Sequence, residues 1–365
     1  MTIVCYVSGH GFGHAVRVTE VLRALCRRRP DTSVVLRTPI PRWMFDFDAS
    51  AGCTHGFSQL DIGAIQTNSL SVDPHASLRA YADLITSKPT LIAAEIAAVS
   101  ALRPRMILAD IPAMACEIAV ELGIPAVAMT NFSWDWIYAD YVRDFPDFAW
   151  VIDDLRAGYG AATLLLRLPF YGDLSAFPRI RDIPLVARTA RLAPATTRER
   201  LGLPRTDRLV LLTFGGIGTT LSCAPAVPDG VTLVSTQPPS QPGAPPKGAR
   251  FISQGSMDAA GVAYEDLVAA CEVVITKPGY GIVADCIANG TRLVYTPRGR
   301  FAEYPHLVNA IDAYVPNAFL SNEDLHAGRW LPALEAVLAQ PSRPPAIATN
   351  GAEVAASILD EMLVH

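Results

Sequence analysis

The stretch TIVCYVSGHGFGH fills residues 2–14 and determines the fold we expect for the chain. Residues 2–7 are mostly apolar or β-branched, as is typical of a buried strand, and the glycines at positions 9, 11 and 13 indicate a tight turn. Apolar side chains then recur at helical spacing, at Val16, Val18, Val21, Leu22 and Leu25. A strand, a glycine turn and a helix in this order predict the first unit of a parallel sheet covered by helices.

Similar units follow along the chain. Apolar runs predict further strands at 33–37, 106–110, 125–129, 163–168, 208–214, 231–235, 273–276 and 292–295. Helical periodicity and helix-end signals predict helices within 77–100 and at 113–122, 282–289 and 351–363. Residues 215–220 (GGIGTT) repeat the glycine turn behind the strand at 208–214. Strands that alternate with helices favour the α/β class, with parallel, doubly wound sheets.

Length and proline spacing predict two domains. A chain of 365 residues exceeds what one hydrophobic core usually organises. Prolines at 178, 184, 194 and 204 stand in a region without periodicity, which is typical of a linker. We therefore predict Rossmann-like domains at 1–172 and 207–345, a linker at 173–206 and a terminal helix within 346–365. A ligand site is expected in the cleft between the domains.

Composition narrows the class of partner. Half of the residues are hydrophobic and 18% are charged, as in a compact enzyme. The net charge of -5 argues against a nucleic-acid partner, which would require surplus Lys and Arg. The seven cysteines form no CxxC pair and are expected to be reduced core residues. Without a leader peptide or an apolar run of ~18 residues, we expect a cytoplasmic protein with no transmembrane segment, and peripheral membrane contact stays open.

The turn at 276–283 carries a phosphate-binding pattern. Glycines between a parallel strand and a helix let backbone N–H groups approach an anion, and the helix N-terminus adds partial positive charge. Lys277 supplies a cation, and Gly279 and Gly281 leave the approach open. Asp285 follows one helical turn later, where a carboxylate can accept hydrogen bonds from ribose hydroxyls. The alternatives are a purely structural glycine turn and a solvated helix carboxylate.

Two histidines flank the first glycine turn. His10 and His14 lie at the mouth of the predicted sheet, where an imidazole can take a proton from a hydroxyl group. A metal site is an alternative, although the intervening glycines disfavour a helix that would put both rings on one face. A structural role with the ring bonded to backbone is the other. We expect no metal.

Aromatic and acidic residues follow two other predicted strands. Residues 131–141 (NFSWDWIYADY) combine ring faces with carboxylates, a pattern that suits a carbohydrate, and the alternative is an aromatic helix packed on the sheet. The loop after the strand at 292–295 carries further polar side chains, where ligands of open α/β sheets bind. The residues expected to bind the part of a ligand that carries the phosphates and the nucleoside are Gly215, Gly216, Gly218, Thr219, Lys277, Gly279, Tyr280, Gly281, Asp285, Arg298, Glu303 and His306. The residues expected on the opposite side of the cleft, where a sugar or a second substrate would bind, are His10, Gly11, Phe12, Asp110, Asn131, Trp134 and Asp135.

Five strings give the chain a family resemblance: SGHGFGH (8–14), NFSWDWIYADY (131–141), RLPFY (167–171), DIPLVAR (182–188) and KPGYG (277–281). With these strings the chain resembles the glycosyltransferase-like half of plant-type arabinokinases and related stand-alone bacterial proteins. No sugar-kinase region follows residue 365, so kinase activity is not expected. More distantly, the layout is similar to the N-acetylglucosaminyltransferase of peptidoglycan synthesis and other enzymes of the GT-B fold, in which two Rossmann-like domains face a cleft.

The resemblance implies a function and residue roles. It implies metal-independent, inverting transfer of a sugar from a UDP-type donor to a hydroxyl acceptor, with no cofactor beyond the nucleotide-sugar. His14 matches a histidine proposed as base, and Asp285 matches a ribose-binding Glu with a side chain one methylene longer. His306 falls near an acid/Gln pair that touches the donor sugar in related enzymes. The alternative functions are a non-catalytic nucleotide-sugar-binding module and a nucleotide-sugar 2-epimerase.

Overall fold

A computed structural model describes residues 1–68, 71–214, 228–236, 248–341 and 346–364. The strands are β1 Thr2–Val7, β2 Ser33–Arg37, β3 Cys53–Gly56, β4 Gln66–Asn68, β5 Ser71–Val72, β6 Met106–Asp110, β7 Ala126–Thr130, β8 Leu164–Arg167, β9 Ile180–Asp182, β10 Arg208–Leu212, β11 Val231–Ser235, β12 Ala249–Phe251, β13 Val273–Thr276, β14 Arg292–Tyr295 and β15 Asn317–Phe319. The α-helices are α1 Phe12–Arg28, α2 Pro74–Thr86, α3 Lys88–Val99, α4 Ala113–Leu122, α5 Trp134–Val142, α6 Ala149–Gly160, α7 Pro194–Arg200, α8 Gln254–Ala260, α9 Tyr264–Ala270, α10 Tyr280–Asn289, α11 Tyr304–Tyr314, α12 Asn322–Ala327, α13 Leu331–Leu338 and α14 Gly351–Val364. Short 3₁₀ turns cover Arg42–Met44, Ser100–Leu102 and Pro146–Phe148.

Two parallel sheets organise the two halves of the chain. The first has the strand order β3-β2-β1-β6-β7-β8-β9, and the second has the order β12-β11-β10-β13-β14-β15. In each, the order reverses direction beside the first strand of that half, which is the pattern of a doubly wound sheet. The predicted α/β class with two such sheets is confirmed. β4 and β5 form a separate antiparallel pair.

The register of the first sheet places the glycine turn beside a second strand end. Val7, the last residue of β1, pairs with Asp110, the last residue of β6. The Ser8 N–H donates to the Asp110 carbonyl at 2.7 Å, so the chain leaves the sheet directly next to that carboxylate. Topology therefore brings residues 96 positions apart in the sequence, His14 and Asp110, within contact of one another.

The predicted linker contains regular structure. Ile180–Asp182 pair with β8 as the last strand of the first sheet, and Pro194–Arg200 form α7. All three residues of β9 are exposed, so no apolar pattern in the sequence marks them as a strand. The helical stretches predicted within 77–100 are the two helices α2 and α3, which meet at Ser87, two residues before Pro89.

The last helix returns to the first half of the chain. α14 packs on α1 through small buried residues such as Ala355 and Ala356, and the Arg29 Nε donates to Asp360 Oδ1 at 2.6 Å. This contact covers the outer face of α1 and fixes the helix that carries His14. Among the described residues, no single helix is long and apolar enough to cross a membrane. One pair of helical segments reaches that length and apolar composition when the two are taken together, but the chain bends by 63° between them. These segments are Pro74–Thr86 and Lys88–Leu102.

Candidate active site

A cavity of about 430 Å³ lies where the carboxyl ends of the two sheets face each other. Its walls come from the loops behind β1, β10, β11, β13 and β14, which is where open α/β sheets bind ligands. The glycine turns at 9–13 and 279–281 meet at this cavity, because a Cβ atom added at Gly281 would lie 3.7 Å from the Gly13 Cα. Of the residues expected to bind ligand, the cavity is lined by His10, Gly11, Phe12, His14, Lys277, Gly279, Tyr280, Gly281, Arg298 and Glu303.

Other predicted residues lie elsewhere. Asp110, Asn131, Trp134, Asp135, Asp285 and His306 do not line this cavity. His306 packs edge-on against Trp136, with ring centroids 5.2 Å apart. Gly215, Gly216, Gly218 and Thr219 lie outside the described residues.

His14 reaches the cavity from the first turn of α1 and is held from behind by a buried carboxylate. Its Nδ1 lies 2.9 Å from the Asp110 Oδ1. The Asp110 side chain is fully buried and supports His14 from outside the cavity lining, whereas the sequence had placed it on the sugar side. Arg17, one turn further along α1, donates from Nε to Oδ2 and from Nη2 to Oδ1 of the same carboxylate, both at 2.5 Å. Burial alone would raise the pKa of Asp110, but the Arg17 charge outweighs it and holds that pKa below its usual value.

A chain of hydrogen bonds continues from Arg17 across the cleft. The Arg17 Nη1 donates to the Asn131 Oδ1 at 2.8 Å, and the Asn131 Nδ2 donates to the Glu303 Oε1 at 2.8 Å. The second Glu303 oxygen accepts from the Arg298 Nη1 at 2.8 Å. Asn131 is fully buried among these hydrogen-bonded side chains, which explains why it does not reach the cavity. The two halves are therefore tied directly behind the site by polar side chains.

The aromatic segment 131–141 forms the packed helix that was the alternative to a sugar platform. The Trp134 ring is fully buried, and its Nε1 donates to the Asp61 Oδ2 at 2.9 Å. Asp135 is buried and paired with Arg156, whose Nε lies 3.2 Å from its Oδ2. Trp134 and Asp135 thus lie behind the cavity wall, where they support the residues that form it.

His10 is fixed in the wall as a neutral imidazole. The Ala64 N–H donates to its Nδ1 at 3.2 Å, so the proton of the neutral ring sits on Nε2. Its ring stacks on Phe301 and meets Trp134 edge-on, with centroids 5.7 and 4.9 Å away. Burial, followed by the Arg298 charge, lowers the pKa of His10 well below its usual value. The Nε2 of His10 is buried and has no hydrogen-bond partner among the described residues.

Gly63 makes the position of His10 testable by stability. It has φ +72°, and a Cβ atom there would lie 2.5 Å from the His10 Nδ1. The pinned His10 ring cannot move aside, so we expect Gly63→Ala to lower the free energy of unfolding by about 1–3 kcal/mol more than Gly123→Ala. Gly123 has a similar φ of +65° with no atom within 4 Å, so it isolates the backbone strain. Equal losses in chemical denaturation would contradict the close packing of His10.

The opposite wall presents a helix N-terminus and a partly buried lysine. Gly279 is the N-cap of α10, and as a glycine it supplies no side-chain oxygen to the first N–H groups of the helix. Lys277 lies just before it, with its Nζ 3.3 Å from the Gln66 Oε1. Burial, followed by the Arg298 charge, lowers the pKa of Lys277 to about 8. Added negative charge at this wall would favour the protonated lysine.

Asp285 does not face the cavity as a ribose ligand. Its carboxylate is 1% exposed and accepts from the Arg188 backbone N–H at 3.0 Å and from the Arg188 Nη2 at 2.5 Å. Arg188 itself lines the cavity, with its guanidinium 5.0 Å from the Tyr264 ring centre. Arg17, Arg188 and Tyr264 were missed from the sequence. The DIPLVAR string, which ends at Arg188, was the one available signal for that arginine.

No family model matches the chain. It is 33% identical over 368 residues to L-arabinokinase of Arabidopsis thaliana, and the match covers 98% of this chain and 34% of that enzyme. The chain thus spans about a third of the length of this relative.

Solved structures match the whole chain at low identity. The calicheamicin glycosyltransferase CalG4 matches with a TM-score of 0.60 at 15% identity, over 100% of this chain and 94% of that one. The spinosyn rhamnosyltransferase SpnG, complexed with thymidine diphosphate, matches with 0.61 at 16%, over 100% and 96%. A UDP-glucosyltransferase from Polygonum tinctorium matches with 0.57 at 13%, over 100% and 93%. These matches confirm the two-domain architecture that the sequence predicted.

Proposed function

On the premise of the GT-B fold, we propose that the chain is a glycosyltransferase that moves a sugar from a UDP-type donor to a hydroxyl acceptor. The observation that carries the proposal is the placement of His14, backed by Asp110, across one cavity from the N-terminus of α10. A base and an anion-binding helix end that face each other are what displacement of a diphosphate by a hydroxyl group requires.

The charges of the cavity support a diphosphate donor. Arg188, Lys277 and Arg298 line it from the second half of the chain. The carboxylate of Asp285 lies behind the wall, and Glu303, which pairs with Arg298, is 2% exposed, so cationic side chains outnumber carboxylates in the lining. With the first N–H groups of α10, these cationic side chains supply countercharge for two phosphates without a metal ion. The cavity volume also falls in the range of small-molecule sites.

The geometry suggests how the reaction proceeds. The His14 Nε2 takes the proton of the acceptor hydroxyl while the oxygen of that hydroxyl attacks the anomeric carbon of the donor sugar. The bond from that carbon to the phosphate oxygen breaks, and the electron pair leaves on the diphosphate. Lys277 and the amides at Gly279 to Gly281 stabilise that charge. One in-line displacement of this kind inverts the configuration of the anomeric carbon.

The nucleotide and the acceptor are proposed at different levels of detail. SpnG was solved with thymidine diphosphate, and the Polygonum tinctorium match is a UDP-glucosyltransferase, which together favour a pyrimidine nucleoside diphosphate. The acceptor is proposed only as a hydroxyl compound. The similarity to L-arabinokinase covers about a third of that enzyme, and the proposal draws no activity from the remainder.

A panel of UDP-, dTDP- and GDP-sugars in a thermal-shift assay tests donor binding, because a ligand of the folded state raises the melting temperature. We expect the largest rise with a UDP-sugar. Incubation with that donor alone then separates the alternatives by NMR of the sugar. A transferase releases the sugar slowly with inverted anomeric configuration, an epimerase changes its ring stereochemistry, and a binding module leaves it intact. Either of the last two results would replace the proposed function.

Donor affinity is expected to depend on pH through Lys277. With a pKa of about 8 in the free protein, Lys277 is charged at pH 7, so affinity is flat below that point. Above pH 7 a growing fraction of Lys277 is neutral in the free protein, so this lysine must take up a proton when the diphosphate binds. The affinity for the donor is therefore expected to fall by up to about tenfold between pH 7 and pH 9. Calorimetry at the two pH values measures this. Lys277→Arg, which stays charged, should remove the dependence, and the same fall in that variant would contradict the role of Lys277.

A further inference from the structure

Arg17 places a permanent positive charge directly beside the proposed base. It lies one helical turn after His14, with a side chain that is 3% exposed, and its Nη2 is 3.1 Å from the His14 Nδ1. A histidine whose charged neighbour is a carboxylate alone binds a proton more tightly, because the negative charge stabilises the protonated ring. Here the same carboxylate is already engaged by two guanidinium N–H groups.

The hydrogen bonds also decide which His14 nitrogen faces the cavity. The Arg17 Nη2 lies within hydrogen-bond distance of three atoms, the Asp110 Oδ1 at 2.5 Å, the His14 Nδ1 at 3.1 Å and the Thr130 Oγ1 at 3.4 Å. Because the ionised Asp110 can only accept, its 2.9 Å contact with the His14 Nδ1 requires the proton on Nδ1, so the two hydrogens of Nη2 are left for the two oxygens. The lone pair of the neutral ring is then on Nε2, which is the nitrogen available to a ligand.

We propose that Arg17 is a positioning residue that takes over the negative charge of Asp110 and so keeps His14 uncharged and ready to accept a proton. A guanidinium does not lose its proton in proteins, so this compensation is present at every working pH. Without Arg17, the buried carboxylate would draw a proton onto His14, and a protonated imidazole cannot act as a base. The inference rests on the proposed role of His14, but its test does not depend on turnover.

Other ionisable groups around His14 act equally in the wild type and in the variants. His10, from the loop behind β1, interacts with His14, but burial keeps it neutral. Asp61, from the segment behind β3, also acts on His14. Burial raises the pKa of Asp61, although hydrogen bonds from Ser8 and Trp134 oppose that shift. The difference made by Arg17 is therefore measured against a constant background.

The test follows the protonation of His14 by NMR of the imidazole nitrogens in histidine-labelled full-length protein. In Arg17→Met we expect the titration midpoint of His14 to rise by about one pH unit or more, a tenfold gain in proton affinity. Arg17→Lys keeps the charge and should leave the midpoint close to that of the wild type. The Arg17→Met/Asp110→Asn double variant removes both charges and should return it toward the wild type. Exposed His75 on α2 is the control signal and should not move.

Several outcomes overturn the proposal. A midpoint that does not move in Arg17→Met, or that rises as much in Arg17→Lys, contradicts charge compensation. Should Arg17→Met fail to fold, Asp110→Asn decides, because it leaves Arg17 uncompensated and must then lower the midpoint. A purely structural role would lower stability without moving any midpoint. Absence of donor turnover would count against the proposed function but would leave these titrations interpretable.

Discussion

Replacing His14 with alanine is expected to lower sugar transfer by about 10²- to 10⁴-fold while leaving nucleotide binding nearly unchanged. The imidazole faces the cavity from the first half of the chain, whereas the cations and the α10 N-terminus come from the second. The substitution therefore removes the proton acceptor without touching the donor wall. Asp110 keeps its two-pronged partner Arg17, so the fold is expected to tolerate the change.

The measurement is donor consumption with and without an acceptor, next to calorimetric binding of the same donor. His75→Ala is a matched control, since His75 is exposed on α2 and does not line the cavity. It should show wild-type turnover. Turnover by His14→Ala at the wild-type rate would remove His14 as the base, and loss of binding in that variant would instead assign it to the donor site.

The Asp110→Ala variant is expected to lose about 3–5 kcal/mol of unfolding free energy. The substitution leaves the Arg17 guanidinium, 3% exposed, without the carboxylate that compensates it. The gain from a buried ion pair over an apolar pair is often small, but removing one partner exposes the full desolvation cost of the other. His14 loses its hydrogen bond at the same time. The expected destabilisation is large against the margin by which most domains are stable.

Asp182→Ala provides the matched control for this result. Asp182 also binds an arginine in two-pronged fashion, with Arg167 Nε at 2.5 Å and Nη2 at 2.9 Å. Its side chain, however, is 67% exposed, and exposed ion pairs contribute about 1 kcal/mol or less. Chemical denaturation of both variants compares the same geometry with and without burial. Equal losses would show that Asp110 is not the buried counter-charge that we describe.

The sequence predicted the fold well because its signals were local. The apolar strands at 2–7, 106–110 and 273–276, and the glycine turns that follow the first and the last of them, depend on residues that are neighbours in the chain. The exposed edge strand at 180–182 and the short helices of the second half lack such periodicity. They form because an existing sheet edge or core supplies a partner, and that information is not in the local pattern.

The site was predicted in part, and the errors share one cause. The turns at 10–14 and 279–281, with Lys277, line the cavity, and their chemistry and their place after a strand are visible in the sequence. Asp110, Asp285 and Trp134 were expected to touch ligand, but each is buried and bound by another side chain. The partners are Arg17, Arg188 and Asp61 respectively. Those pairings join residues 73 to 97 positions apart, which no local pattern reveals.

The central claim is that the cavity between the two sheets holds a nucleotide-sugar, and a cavity-filling variant tests it most directly. Gly279 lines the cavity, and a Cβ atom there would meet no atom within 4 Å, so Gly279→Leu should fold while its side chain covers the α10 N-terminus. Gly255→Leu, at an exposed position of α8 outside the lining, is the matched control.

Calorimetric titration of a UDP-sugar into the three proteins is the measurement. The account predicts one site per chain in the wild type and in Gly255→Leu, and an affinity at least about tenfold weaker in Gly279→Leu, a loss of about 1.4 kcal/mol. Equal affinity in Gly279→Leu, or no binding of UDP-, dTDP- or GDP-sugars to the wild type, would contradict it.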